Sequence, residues 1–341
     1  MAVLILSSAS DPHATSVAEH LDKVGVPHKI WSFSEFLHSS SVSFLPGASA
    51  PSNHMKFLDD SEIVLSDLQA IWCRRPGSFK APPMPEPWVE AMIELECKNA
   101  LGGLIRSAEC LLVNHPGRDA ESLYKLSQLA VARRVGLHVP ETLVTNEPDQ
   151  AREFYDRFSG RVIYKLIGEN TNFCFPRFEF PSGIPTLPCH QSDLAYFDQV
   201  KLAPHLFQQR VEKTFEIRAT IVGEEIFAAK IDSQKGDSKL DWRMDYNVPM
   251  SSIDLPDKVA EACLAMMRGF ALNYAAFDFC VDAENRYFFL ELNCAGQYLW
   301  LENRVGLPIS RQLARLLSGQ AKPIVEAVRP SETKNAHDGF S

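Results

Sequence analysis

Two segments near the C-terminal end constrain the fold of this chain most, because both alternate apolar and polar residues. They are Phe277-Asp278-Phe279 and Phe289-Leu290-Glu291-Leu292-Asn293. Successive side chains of a β-strand point to opposite faces, so Glu291 and Asn293 share one face while Leu290 and Leu292 share the other. We expect the apolar face to anchor the strand in a core, which leaves the polar face available for a ligand.

The spacing of these segments predicts a hairpin that brings three oxygen-bearing side chains together. If residues 283–286 form the turn, Asp282 pairs with Tyr287, and Asp278 lies directly opposite Glu291. Carboxylate and amide oxygens bind Mg²⁺, which completes its shell with water and substrate phosphates, so a nucleotide is implied. The alternative is the solvent-facing side of an edge hairpin. Against it, two facing carboxylates would repel each other without a cation.

The remainder of the chain predicts an α/β protein of more than one domain. Its 341 residues, 45% apolar and 23% charged, are enough for two or three domains with buried cores. The first hundred residues alternate strands (2–7 and 27–33) with a helix that Asp11 and Pro12 begin. The Ser-, Pro- and Gly-rich stretch 39–53 predicts a long loop.

Helical and strand periodicity predicts the later elements. A helix over 88–108 is expected to place Trp88, Met92 and Leu95 on or near one face with Leu101, Leu104 and Ile105. A second helix is predicted over 118–136, ended by Gly136. Three β segments follow over 206–211, 216–222 and 225–232, and then a helix over 257–272.

Charge and cysteine usage exclude several classes of protein. The net charge of −9 argues against nucleic acid as the main partner. The eight cysteines form no Cys-x-x-Cys pair, which leaves reduced cytoplasmic thiols as the expected state. The short apolar run at residues 2–6 lacks a basic flank, and no uncharged apolar span reaches about 20 residues, so we expect no signal peptide and no membrane partner.

Two lysines are candidates for binding nucleotide phosphates. Lys165 lies inside the apolar stretch 162–167, where a lysine is usually paired with an anion, although its ammonium could also reach solvent. Lys125 lies on an amphipathic helix, where a solvated lysine is the ordinary interpretation.

Further charges are expected on the predicted sheet. Arg218 shares a strand face with Glu216, and Lys230 could extend that charged surface toward a polyphosphate. Arg243 follows a polar loop. The chain contains no G-x-x-x-x-G-K-[ST], G-x-G-x-x-G, G-x-S-x-G or H-E-x-x-H motif, so P-loop, Rossmann, α/β-hydrolase and zinc-protease interpretations lack their signatures.

Several groups of residues together resemble one family. They are Asp11-Pro12-His13-Ala14, Ile71-Trp72-Cys73-Arg74-Arg75-Pro76, Lys125-Leu126-Ser127-Gln128-Leu129, residues 136–146, and residues 291–297 followed by Trp300, Glu302 and 306–309. The order of a helix lysine, a strand lysine, an Arg-bearing sheet and Asp with Glu-x-Asn is similar to the ATP-grasp fold, an α/β (α+β) architecture. The groups resemble, more narrowly, the microviridin-type peptide maturases, or graspetide synthetases. These ligases close ester or amide crosslinks between side chains of a ribosomally made precursor peptide.

The resemblance implies a role for each candidate residue. Lys125 and Lys165 would contact the phosphates of ATP, and Asp278, Glu291 and Asn293 would hold two Mg²⁺ ions. To these we add Lys230 as a phosphate contact from the charged sheet, and Arg218 and Arg243 as the residues expected to stabilise an acyl phosphate and a tetrahedral intermediate. The adenine hinge would comprise Gln208, Gln209, Arg210 and Val211, and Glu216 would hydrogen-bond the ribose.

The chain also departs from the family pattern. Gln209 stands where many relatives have Glu, but its carbonyl oxygen can still accept a bond from the adenine amino group. Asp245 stands near the position at which related ligases have Asn, and Tyr298 stands at a position where Trp is more common in the family. The segment 168–183 contains no evident glycine-rich phosphate loop.

Arg74 and Arg75 admit two interpretations. At the end of an apolar strand they could be ordinary surface charges. In an open α/β unit, however, ligands collect at the carboxyl ends of strands, so the two arginines could hold an acidic peptide.

The resemblance implies a pre-ATP-grasp domain (1–115), a central ATP-grasp subdomain (116–204), a C-terminal ATP-grasp subdomain (205–320) and a disordered tail (321–341). The expected activity is ATP-dependent activation of Asp or Glu side chains as acyl phosphates, followed by crosslinking.

Two alternatives stay open: a ligase that adds a free amino acid to a peptide or protein terminus, and a catalytically silent peptide-binding module. The expected partner is a precursor peptide whose leader docks over 172–191, although the phenylalanines of that segment could instead pack on the ATP-binding core. Family habit suggests a homodimer.

Overall fold

The computed structural model describes residues 1–45, 53–168, 186–236, 239–240, 242 and 247–327. Its strands are β1 (Ala2–Leu6), β2 (His28–Trp31), β3 (Ser40–Ser43), β4 (His54–Phe57), β5 (Glu62–Val64), β6 (Leu68–Cys73), β7 (Leu111–Val113), β8 (Thr142–Thr145), β9 (Val162–Lys165), β10 (Leu187–Pro188), β11 (His205–Gln209), β12 (Lys213–Val222), β13 (Glu225–Ile231), β14 (Met250–Ile253), β15 (Tyr274–Asp282) and β16 (Tyr287–Asn293). Its α-helices are α1 (Pro12–Lys23), α2 (Phe36–Ser39), α3 (Pro87–Arg106), α4 (Pro116–Ser122), α5 (Lys125–Arg134), α6 (Pro148–Arg157), α7 (Asp257–Phe270), α8 (Leu299–Val305) and α9 (Ile309–Leu317), and 3₁₀ turns occur at Phe33–Glu35, Leu65–Asp67, Gln191–Leu202 and Ser233–Lys235.

A parallel sheet of order β2-β1-β6-β7 forms the N-terminal part of the fold. Helix α1 begins as the sequence predicts, since the Asp11 carboxylate accepts a bond from the His13 amide and Pro12 occupies the first turn. The expected loop over 39–53 is wrong in part. Ser40–Ser43 forms β3, which pairs with β4 in the three-stranded sheet β3-β4-β5, while residues 46–52 lie outside the described chain.

Helix α3 does not bury the apolar face that its spacing predicts. Trp88, Met92 and Leu95 are 64%, 48% and 54% exposed, and the helix packs on the core through Cys97, Leu101 and Ile105. The buried positions follow a 3.6-residue period only in the C-terminal half, because only that half lies against the N-terminal sheet.

The single helix predicted over 118–136 is two helices in the structure. Tyr124 has an extended conformation between α4 and α5, with φ −73° and ψ 105°. The buried Gln128 amide stabilises the break, because its Nε2 donates to the Ser122 carbonyl 2.7 Å away.

A small sheet of order β10-β9-β11-β8 has two distinct faces. One face carries Val162, Tyr164 and Phe207, which pack against α6 and the 3₁₀ segment Gln191–Leu202. Register then places Ile163, Lys165, Leu206 and Gln208 on the opposite face.

The large sheet has the order β14-β13-β12-β15-β16 and is antiparallel throughout. Its apolar face carries Ile217, Phe277 and Phe279 and is covered by α5 and α7. The register Asp278↔Glu291 confirms the predicted pairing. Nearer the turn the prediction is wrong, because Tyr287 pairs with Val281 instead of Asp282.

A β-bulge explains this change of register. Leu290 is an extra residue in β16, since Phe279 pairs with Phe289 and Asp278 pairs with Glu291. Phe289, 0% exposed, therefore takes the core position that alternation assigns to Leu290, which is half-buried.

The segment 321–327 is anchored to the fold, although the sequence predicts that a disordered tail starts there. The Asn273 side chain accepts bonds from the amides of Ile324 and Val325, both at 2.9 Å, and Lys322 pairs with Glu224 at 2.8 Å. Residues 328–341 lie outside the described chain. Within the residues that the structure describes, no helix has the length and apolarity needed to cross a bilayer.

Candidate active site

The candidate site is built around an arginine and a carboxylate on the polar face of the large sheet. β12 and β15 pair Arg218 with Asp278, and the Arg218 Nη1 atom lies 2.6 Å from Asp278 Oδ2. Arg218 is only 8% exposed. Burial alone would lower the pKa of its guanidinium, but the charge of Asp278 outweighs this effect, and with a smaller contribution from Glu291 the pKa is raised.

The three predicted oxygen ligands lie on this same face. Glu291 pairs with Asp278, and Asn293 pairs with Ala276, which is two residues before Asp278 and so shares its face. The Asn293 side-chain oxygen accepts a bond from the Ala295 amide at 3.0 Å. Two carboxylates and one amide suit a hard cation that takes its other ligands from water and phosphate. Nowhere in the described residues, this face included, do three His, Cys, Asp or Glu side chains form a group that could hold a metal ion, so the candidate set comprises only two carboxylates and one amide.

Glu216 lies on the same strand face as Arg218 and is buried beside a lysine. Its Oε1 atom lies 2.8 Å from Lys213 Nζ, and Glu216 as a whole is 6% exposed. Burial raises the pKa of Glu216, although the charge of Lys213 opposes that rise. Lys213 is a site residue that the sequence analysis missed; the irregularity between Lys213 and Phe215 places it beside Glu216.

The two lysines predicted to bind phosphate lie at the end of β9 and at the start of α5. Lys165 lies on the face of β9 opposite the small-sheet core. Burial raises the pKa of Cys280, which shares the polar face with Asp278, to about 12, and the charges of Lys213 and Lys165 oppose that rise. The Lys125 ammonium donates to the Leu166 carbonyl at 2.8 Å, which holds the start of α5 at the end of β9.

The predicted adenine hinge forms the connection between β11 and β12. Gln208 is 1% exposed, and its Nε2 donates to Thr142 Oγ1 at 2.9 Å. Among the described residues, its Oε1 has no hydrogen-bond partner, so it can accept a bond from a ligand. The amides of Gln209 and Arg210 bond to the Glu141 and Arg161 carbonyls, and Val211 follows as a half-buried residue.

Two predicted placements are wrong. Lys230 pairs with Ile217, so it lies on the apolar side of the sheet, away from Arg218. There its ammonium pairs with Asp232 at 2.9 Å and lies 4.8 Å from the Phe215 ring centroid. The turn at Gly223 sets the register of β13 against β12. That register differs by one residue from the one that would place Lys230 on the same face as Arg218.

The other misplaced residue is Arg74. It is 3% exposed, and its guanidinium contacts Asp11 and the Ala295 carbonyl, so it presents no free surface to a peptide. Arg75 is exposed. Arg243 and Asp245 lie outside the described residues.

Gln128 is a second residue that the sequence analysis did not assign to the site. Its Oε1 accepts from the Leu292 amide at 2.9 Å, and its Nε2 donates to the Leu292 carbonyl at 2.8 Å. The side chain thus satisfies both backbone groups of an edge strand between Glu291 and Asn293. The sequence does contain a signal for this role, because Gln128 belongs to Lys125-Leu126-Ser127-Gln128, one of the segments that resemble the family.

The chain is similar to solved structures along nearly all of its length. The macrocyclase MdnC from Microcystis aeruginosa MRC, bound with precursor peptide MdnA, is 28% identical with a TM-score of 0.81, covering 94% of this chain and 100% of MdnC. A RiPP-associated ATP-grasp ligase from Chryseobacterium gregarium, in complex with ADP and a leader and core peptide, is 26% identical with a TM-score of 0.85, covering 96% of this chain and 100% of that one.

The macrocyclase MdnB from the same Microcystis strain is 26% identical with a TM-score of 0.74, covering 93% of this chain and 98% of MdnB. No family model matches the sequence, and a search of curated proteins gave no match. The α/β ATP-grasp fold is confirmed, and so is the resemblance to ATP-grasp maturases of ribosomally made peptides.

Proposed function

We propose that this protein is an ATP- and Mg²⁺-dependent ligase that forms intramolecular ester or amide crosslinks in a ribosomally made precursor peptide. The observation that carries the proposal is the single face on which Arg218, Asp278 and Glu291 meet. It lies in a chain that is similar over more than nine-tenths of its length to the macrocyclases MdnC and MdnB. The buried cation and the acidic pair supply the charges that phosphoryl transfer requires.

The proposed reaction has two steps. A carboxylate oxygen of a peptide Asp or Glu attacks the γ-phosphorus of ATP, and ADP leaves. A hydroxyl or amine of the same peptide then attacks the acyl carbon. The acyl–phosphate bond breaks, inorganic phosphate leaves, and the nucleophile loses its proton. No protein nucleophile is needed, which agrees with a site composed of cations and carboxylates.

Asp278, Glu291 and Asn293 would hold Mg²⁺ at this site, and the metal would neutralise phosphate charge. Lys125 and Lys165 would contact the phosphates from the ends of α5 and β9. Arg218 is fixed by Asp278 and by the Gln297 carbonyl at 3.5 Å, so it can stabilise the developing oxyanion without reorganising.

The nucleoside would bind where the small sheet meets the large one. Gln208 Oε1 is positioned as a buried acceptor. Gln209, Arg210 and Val211 complete the hinge that would contact adenine. Glu216, beside Lys213, is an acceptor for ribose hydroxyls. Arg75 is proposed to contact an acidic part of the peptide.

Mass spectrometry tests the function. The purified protein is incubated with ATP, Mg²⁺ and the full precursor peptide encoded beside it. We expect loss of one water for each crosslink, with ADP released in proportion. A mass gain of one residue would instead identify addition of an amino acid, and absence of precursor-dependent ADP release would indicate a silent binding module.

Two further samples test the chemistry. A precursor whose candidate hydroxyl and amine residues are replaced should still release ADP, and hydroxylamine should trap its activated carboxyl as a hydroxamate. The second sample is the crosslinked product of the unchanged precursor. Mild alkali should open its crosslinks if they are esters and leave them intact if they are amides. A crosslinked product without any trappable acyl group would contradict the acyl-phosphate step.

A further inference from the structure

The segments that follow strands β1 and β6 of the N-terminal sheet converge on one aspartate. The Asp11 carboxylate accepts from the Ser7 hydroxyl at 2.9 Å and the His13 amide at 3.0 Å, and it lies 3.2 Å from His13 Nδ1. Arg74, at the end of β6, pairs with the same carboxylate at 3.3 Å. Burial would raise the pKa of Asp11, but its bonds with His13 and the charge of Arg74 outweigh that effect and hold the pKa well below its usual range.

His13 and Arg74 in turn hold the two ends of residues 294–298, which we call the ligand loop because it follows Asn293. Arg74 Nη1 donates to the Ala295 carbonyl. His13 Nε2 accepts from the amides of Tyr298 at 3.2 Å and Leu299 at 3.4 Å, which are the first donors of helix α8. His13 is therefore the neutral tautomer with its proton on Nδ1, facing Asp11.

The ligand loop touches the candidate site at two points. The Ala295 amide donates to the Asn293 side-chain oxygen at 3.0 Å, and the Gln297 carbonyl accepts from Arg218. The space between these points is tight. A Cβ atom on Gly296 would lie 2.5 Å from Ala276 Cβ and 3.0 Å from Arg218 Nη2. Small shifts of the loop therefore move both Asn293 and Arg218.

We propose that Asp11, His13 and Arg74 are positioning residues for the metal site, acting through the ligand loop. The inference rests on the proposed function, since it assigns Asn293 to a metal. It gives a role to the segments Asp11-Pro12-His13-Ala14 and Arg74-Arg75-Pro76, which belong to no catalytic step. Hydrogen bonds behind a metal ligand fix its orientation, and their loss typically weakens metal binding about 10- to 100-fold.

Mn²⁺ binding in the presence of saturating ADP, measured by electron paramagnetic resonance, tests the proposal on the full chain. Arg74→Met should weaken Mn²⁺ binding about 10- to 100-fold, and Arg74→Lys, which keeps one bond, should weaken it less. ADP affinity without metal should change by less than about 2-fold. The control is Arg152→Met, because Arg152 also binds an aspartate and a backbone carbonyl, Asp198 and Leu194.

His13 supplies a second pair of variants in case Arg74→Met does not fold. His13→Gln can keep an acceptor near the Nε2 position, whereas His13→Phe removes it, so only the phenylalanine variant should lose Mn²⁺ affinity. Wild-type Mn²⁺ affinity in folded Arg74→Met or His13→Phe would overturn the proposal. Equal losses of Mn²⁺ and ADP affinity would also overturn it, since they indicate general loosening. A wild-type protein that binds no Mn²⁺ with ADP would overturn the proposed function as well.

Discussion

Arg218 determines the charge of the candidate site, because it is nearly buried and its partner is one of the proposed metal ligands. A metal ion at Asp278 and Glu291 would compete with Arg218 for the Asp278 carboxylate. Arg218 Nε has no hydrogen-bond partner among the described residues, so this arginine has donor capacity left for a substrate oxygen. A fixed guanidinium with a free donor can stabilise negative charge on the phosphate or on the acyl oxygen without moving.

Glu291→Gln removes one charge from the acidic pair and keeps its size. We expect precursor-dependent ADP release to fall by at least about 100-fold, as for other losses of preorganised charge, while the unfolding temperature changes little. Glu284→Gln is the matched control, since Glu284 lies at the exposed turn of the same hairpin. A Glu291→Gln variant with near-normal turnover would show that the metal site lies elsewhere.

Lys165→Ala tests the phosphate contact. A charge-assisted hydrogen bond contributes about 1.5–3 kcal/mol, so ATP affinity measured by calorimetry should fall about 10- to 100-fold. Lys201→Ala, at an exposed lysine on the neighbouring 3₁₀ segment, should bind ATP as the wild type does. Unchanged affinity in Lys165→Ala would mean that this ammonium reaches solvent instead.

Asp119, in the first turn of α4, makes stability depend on pH. Burial raises the pKa of its carboxyl to about 6, although bonds with Asn114 and Cys294 oppose the rise. The folded state therefore binds the proton more tightly than the unfolded state, so stability falls as pH rises from about 4 to about 6 and is level above that. The total loss is on the order of 2–3 kcal/mol.

Asp119→Asn should remove this pH dependence. Chemical denaturation at pH 4.5 and 7.5 should show a smaller difference for the variant than for the wild type. Asp149→Asn is the control, because Asp149 is an exposed aspartate in the first turn of α6. An unchanged difference in Asp119→Asn would assign the pH dependence to other groups.

Among the elements, the hairpin β15–β16 shows how far sequence reasoning reaches. Alternation and turn length are local properties, and they place Asp278 opposite Glu291. The bulge at Leu290 is set by the contact of Phe289 with the core beneath it and with the His138 carbonyl, which the local pattern does not contain. The sheet face of Lys230 was predictable, since pairing outward from the turn at Gly223 gives it. The burial of Arg74 was not predictable, because its partner Ala295 is 221 residues away in the sequence.

The turn between β12 and β13 gives a test at the scale of elements. Gly223 has φ +59°, and a Cβ there would collide with the Lys322 carbonyl of the segment that crosses the turn. Gly223→Ala should lower the free energy of unfolding by about 1–3 kcal/mol in urea titrations.

Gly103 is the matched control within helix α3. It has no neighbour within 4 Å of an added Cβ, and the helix interior favours alanine, so Gly103→Ala should raise stability by about 0.5–1 kcal/mol. Equal effects at the two glycines would mean that the crossing segment 321–327 does not pack on the turn.

At the scale of the whole molecule, the candidate site draws on three parts of the fold. The large sheet supplies Arg218, Asp278 and Glu291, the sheet β10-β9-β11-β8 supplies Lys165 and Gln208, and the N-terminal part supports the ligand loop through His13 on α1 and Arg74 after β6. A site assembled from separate parts depends on how they are held together. Binding energy from a distant part of the substrate can therefore contribute to catalysis as well as to affinity.

Removal of the leader from the precursor tests this dependence. A core peptide alone should be crosslinked with a lower kcat as well as a higher KM, because the leader's contacts are expected to help form the reacting geometry. Initial rates by mass spectrometry measure both constants, and leader added as a separate peptide should restore part of kcat, whereas a scrambled leader should not. A change in KM alone would mean that the leader only tethers the core.

Hydrogen exchange locates the dock of the leader. Protection is expected over 172–191, of which residues 172–185 lie outside the described chain. Protection confined to other segments would reject that dock and leave the ligase proposal intact.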